Sequence, residues 1–168
     1  TRGLLTLKVA VPPPPPECTF KWYLYPPTEL PDDARWFIDG SLYDEKKRFA
    51  RRTGFAIVVV DSAGRLLAYG NGVPPGWIHD AAGAELWAFY IVISLNPTVP
   101  LIVTDCLGIL QALEAGIAAA TGPKRRLARL WRLCGAALAN LSLRHICRRR
   151  RPYRSPPPPL SCDHTTVR

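Results

Sequence analysis

A chain of 168 residues that is 48% hydrophobic and 21% charged can bury a real core, which excludes a wholly disordered polypeptide and suits one domain with tails. The formal charge of +9 is unevenly placed: residues 1–120 carry ten Lys/Arg against twelve Asp/Glu, whereas residues 121–168 carry twelve Lys/Arg against Asp163 alone. That basic block points to a polyanionic partner, nucleic acid before membrane, because no apolar anchor accompanies it and no segment is long enough to span a bilayer.

The first 33 residues read as a proline-rich tail or linker. Pro12–Pro16 is a polyproline run, more in keeping with a spacer than with a docking motif, and "TRGLLTLKVAV" before it is only faintly like a signal peptide, with Lys8 interrupting it and no small-residue cleavage site after it. The chain begins at Thr1 and contains no Met, as expected of a fragment of something longer. A domain is expected over residues 34–147. It opens with a short strand, Arg35–Asp39, then a charged loop, "YDEKKRFARR". Gly54–Val60 is a continuous apolar, β-branched run suited to a central strand, and "DSAG" turns it into a partner strand over Arg65–Gly70, which makes a hairpin. "GNGVPPG" ends that pattern.

Ala81–Leu95 has helical spacing through Leu86, Phe89, Tyr90 and Ile93, and Asn96-Pro97 stops it. Pro100–Thr104 is a compact strand. A second helix is expected over Leu107–Ala119, with helical spacing through Leu107, Leu110, Leu113 and Ile117. A third opens at Gly122-Pro123 and runs to about Asn140, with Leu127, Leu130, Trp131, Cys134 and Leu138 inward and Arg125, Arg129 and Arg132 outward. "LSLRHIC", Leu141–Cys147, is a candidate last strand, and residues 148–168 read as a basic, proline-rich disordered tail. The order predicts an α/β fold: a mixed sheet with antiparallel strands first and parallel βα units after them, flanked by helices.

Three carboxylates stand where packing alone does not ask for them: Asp39 at the end of the first strand, Glu85 in the first helix, and Asp105 after the fourth strand. Each has an ordinary explanation. Asp39 could start a turn before Gly40, Glu85 could favour the helix dipole from the first turn, and Asp105 could cap the next helix. Taken together they form the set one site would need. Three clustered carboxylates need cations to neutralise them, and their oxygens suit Mg²⁺ or Mn²⁺. Two such ions about 4 Å apart can activate water for attack on a phosphodiester. The five cysteines are odd in number and lack metal-ligand spacing, so reduced thiols in an intracellular protein are expected.

"FIDGS", the hairpin, "AELWAF" and "VTDCLGIL", in this order, resemble the ribonuclease H domain, above all those of retroelement polyproteins, over about Arg35 to Asn140. The resemblance implies a ribonuclease H-like fold and a metal-dependent endonuclease that cleaves the RNA strand of RNA–DNA hybrids. It implies that Asp39, Glu85 and Asp105 bind two Mg²⁺ ions and that Ser41, unless it caps a turn, sits near the nucleic-acid backbone. Arg125, Arg129 and Arg132 would grip phosphates without reading sequence. Partners would be the hybrid and other domains of a reverse-transcriptase polyprotein, with the domain itself a monomer. The resemblance fails at the far end, where a His-bearing loop and a fourth metal-binding Asp are expected. His145 falls in the candidate strand, and Asp163 follows four prolines with only five residues after it. His79 reads as a loop histidine. The rival readings are a catalytically impaired relic that binds nucleic acid without cleaving it, and a wholly structural α/β domain.

Overall fold

A computed structural model describes residues 16–43 and 51–147. Among the described residues five strands form one sheet: β1 (Thr19–Leu24), β2 (Arg35–Tyr43), β3 (Arg52–Val60), β4 (Leu66–Val73) and β5 (Leu101–Val103). The helices of the described residues are α1 (Ala81–Leu95), α2 (Leu107–Glu114), α3 (Ile117–Ala120) and α4 (Ala128–Cys147). The spatial order is β1-β4-β3-β2-β5, antiparallel except where β5 pairs parallel with β2. The expected α/β class and mixed sheet are therefore present.

Alternation sets the core. Trp36 and Ile38 of β2 and Phe55, Ile57 and Val59 of β3 are buried beneath α1, whose own Leu86, Phe89 and Ile93 are buried against them. A buried side chain of this size contributes about 1.5–3 kcal/mol, so this layer holds the fold together. Asp80 caps α1, accepting the Gly83 N–H at 2.7 Å on its Oδ1. α4 packs on α1 through Leu130, Trp131 and Cys134, with Leu127 and Leu138 partly buried beside them, as the helical spacing predicts.

Four expectations need correction. Thr19–Leu24 is no tail: Phe20 stacks on Phe55 at 5.6 Å and Trp22 meets Trp36 edge-on at 6.4 Å, which fastens β1 to the sheet as its edge strand. The helix expected over Leu107–Ala119 is broken at Gly116, whose φ of +84° no helix tolerates, and its buried residue is Ile109, while Leu107, Leu110 and Leu113 are exposed. The last helix starts at Ala128, so Arg125 lies in the turn before it, with its N–H bonded to the Gly122 carbonyl. Leu141–Cys147 is not a strand, because α4 continues through it, so His145 is a helical residue. Pro12–Pro15, most of the charged loop after Tyr43, Asp163 and the basic tail lie outside the described residues.

Candidate active site where two parallel strands part

Asp39 lies inside β2, paired with Ala56 of β3, and does not start a turn. The strand runs on through Gly40 and Ser41 to Tyr43 because the residue after Asp39 has no side chain. A Cβ at Gly40 would stand 2.3 Å from the Glu85 backbone nitrogen and 2.6 Å from the Ala81 carbonyl oxygen. Helix α1 therefore rests directly on β2 at this point, and that contact sets Glu85 beside Asp39-Gly40. Glu85 lies in the second turn of α1, beyond the first-turn position that a helix-dipole role would favour.

The parallel register aligns Trp36 with Ile102 and Phe37 with Val103. The pairing ends there, and Asp105 follows two residues after the end of β5, while Asp39 lies two residues further along β2. Asp105 is not the helix cap either, since Cys106 occupies that position in front of α2 with no side-chain cap bond. Asp39 and Asp105 are exposed, whereas Glu85 is 7% exposed.

Glu85 is not alone in its burial. Thr104 donates its hydroxyl to Glu85 Oε1, and the same hydroxyl oxygen accepts the Cys106 N–H at 3.0 Å. Burial pushes the Glu85 carboxyl above the ordinary carboxylate pKa. The Asp105 carboxylate, within hydrogen-bonding reach, pushes it the same way, while Thr104 and the Cys106 N–H pull it back. Burial, with the Glu85 carboxylate behind it, likewise raises the neighbouring Cys106 thiol. Thr104 was not singled out from the sequence. Its signal is its place directly after β5 and one residue before Asp105.

The site thus brings Glu85 and Asp105 together, whereas Asp39 lies on the neighbouring strand on the sheet face opposite α1. Among the described residues, no three His, Cys, Asp or Glu side chains stand close enough to hold a metal ion. The donors suit a hard cation in their chemistry, but with Glu85 turned to Thr104 the three carboxylates do not close on one point.

Ser41 caps no turn. It lies in β2 and donates across to the Gly54 carbonyl at 3.4 Å. The three arginines are all exposed, but two of them have intramolecular roles. The Arg129 guanidinium lies 4.6 Å over the Trp77 ring, and Arg132 Nη2 donates to the Thr121 carbonyl at 3.3 Å. Their neighbour Arg126 approaches Asp80 at 3.4 Å. His79 is an exposed residue just before the cap of α1. Asp61 belongs to the β3–β4 turn: it accepts Arg65 N at 2.8 Å and Arg65 Nε at 2.6 Å, which hold its pKa below the ordinary value. No helix of the described residues is long and apolar enough to cross a membrane. No family model matches the chain, and neither a characterised protein nor a solved structure shows significant similarity to it.

Proposed function

We propose that the chain is a ribonuclease H-like domain, a metal-dependent endonuclease acting on the RNA strand of RNA–DNA hybrids. The observation that carries this reading is the approach of Glu85 to Asp105 just beyond the end of β5, with Asp39 on the neighbouring strand β2 beside the Gly40 seat of α1. Three consecutive antiparallel strands, then a helix and a parallel strand beside the first of them, agree with the ribonuclease H-like order. Asp39, Glu85 and Asp105 would hold Mg²⁺ or Mn²⁺, and two such ions would supply an activated water and offset charge on the leaving 3′-oxygen. Glu85 must lose its proton and release the Thr104 hydroxyl to take part, so cation binding strengthens as pH rises through its raised pKa.

A second reading is favoured by one observation: the three carboxylates do not close on a point. It is an impaired relic that binds nucleic acid without cutting it. Incubating the chain and Asp39→Asn with a labelled hybrid and Mg²⁺ separates the two. Cleavage by the parent that is lost in Asp39→Asn supports the nuclease. Salt-sensitive hybrid binding with no cleavage by either supports the relic and sinks the nuclease reading.

A further inference from the structure

The sheet has a second face. Among the described residues α1 is the helix that packs substantially on the sheet, and it covers one side. Alternation turns the remaining side chains of each strand outward on the other. Four of these are large rings left open to solvent: Tyr23 is 52% exposed, Phe37 40%, Tyr43 73% and Tyr69 41%. Apolar side chains of this size are normally covered, and a contiguous set of them marks an interaction surface.

Three of the rings lie in one row. Phe37 pairs with Val58, Val58 pairs with Tyr69, and the Tyr23 ring lies against Tyr69 at 5.6 Å with the planes 9° apart. Phe37 and Tyr69 are two strands apart, which separates them by about 10 Å. A cation accompanies each group. The Lys21 ammonium lies 5.1 Å from the Tyr23 ring, Arg35 is two residues before Phe37 on the same face, and Arg52 is the cross-strand partner of Tyr43. A purely apolar protein partner would have no use for a cation beside each ring. A chain that offers flat π-faces at intervals and a negative charge between them would use both. Single-stranded nucleic acid is that chain, because its bases are free to stack on exposed rings while its phosphates meet Lys and Arg.

We propose that the open sheet face binds single-stranded nucleic acid, with bases stacked on the Tyr23–Tyr69 pair and on Phe37 and with phosphates met by Lys21, Arg35 and Arg52. Asp39 stands on the same face, on the side of Phe37 away from Arg35, and repels phosphate there. A blunt hybrid hides its base faces in the helix and cannot use the platform. The platform requires no metal and stands whether or not the carboxylates cut.

Binding of labelled oligothymidylate and oligouridylate by the full chain, in EDTA and across a salt series, tests this. The parent binds the single strands more tightly than a blunt hybrid. Phe37→Ala and Tyr69→Ala each weaken single-strand binding about ten-fold, while Phe37→Trp retains it. Lys21→Ala with Arg35→Ala reduces the salt slope by about two. Circular dichroism confirms that each variant is folded. If a ring variant does not fold, the paired cation variant decides. Unchanged affinity on removing either set overturns the proposal, because binding by the basic tail ignores both. It is equally overturned if the parent self-associates in sedimentation, Phe37→Ala dissolves the assembly, and strand affinity stays the same.

Discussion

The two faces of the sheet are built from similar residue types, yet they behave differently. Under α1, Trp36, Ile38, Ile57 and Val59 are buried, while on the far side Phe37, Val58, Tyr69 and Leu101 are half-buried or exposed. Hydrophobicity alone does not separate these sets. The difference lies at Gly40, where a missing side chain lets a helix lie flat on the strand. What makes a face core is the presence of a neighbour shaped to it.

The largest test of that contrast compares two glycines on neighbouring strands. Gly40→Ala must drive α1 off β2, because its Cβ would meet backbone on three counts, the nearest at 2.3 Å. The cost is about 3 kcal/mol or more, read as a lower urea midpoint. Gly54→Ala would meet the Ser41 hydroxyl at 3.2 Å and the Gly72 carbonyl at an ordinary 3.7 Å, and is expected to cost less than about 1 kcal/mol. Equal costs would mean that α1 does not sit on Gly40. A smaller difference is expected between Ile57→Ala, about 3 kcal/mol, and Phe37→Ala, about 1 kcal/mol or less, since only the first opens a cavity.

The smallest effect concerns the carboxylates. Glu85 is buried on the covered side and its folded pKa is raised, so the native state holds the proton more tightly than the unfolded chain does. Below the ordinary carboxylate pKa both states are protonated and nothing is lost. As pH rises from there through the raised value, ionised Glu85 destabilises the fold increasingly, and above it the penalty is complete. Glu85→Gln therefore raises the melting temperature at pH 8, and the gain disappears in acid. The same melting temperature for Glu85→Gln and the parent at pH 8 would show that Glu85 ionises freely.

Much of this was legible in the sequence where the signal is local. The hairpin from Gly54, helix α1 over its full length and the positions of Asp39, Glu85 and Asp105 all follow from short-range pattern and turn chemistry. Strand β1 was missed although Phe20 and Trp22 alternate with Lys21 and Tyr23. Its partner β4 lies far along the chain, and the prolines on either side outweighed six residues of alternation. The single helix expected over Leu107–Ala119 is two, because the positive φ at Gly116 redirects the chain, and its apolar stripe stays exposed where nothing packs against it. Glu85's bond to Thr104 is tertiary, and residue spacing carries no trace of it.

The edges of the sheet have their own consequence. Strand β5 offers only three residues, too few to template another chain, and β1 at the opposite edge carries a bulge between Trp22 and Leu24 and a lysine at its centre. Short, bent and charged edges are the common defences against strand-to-strand aggregation. With both edges blunted in this way, ladder growth into fibrils is disfavoured at either end of the sheet.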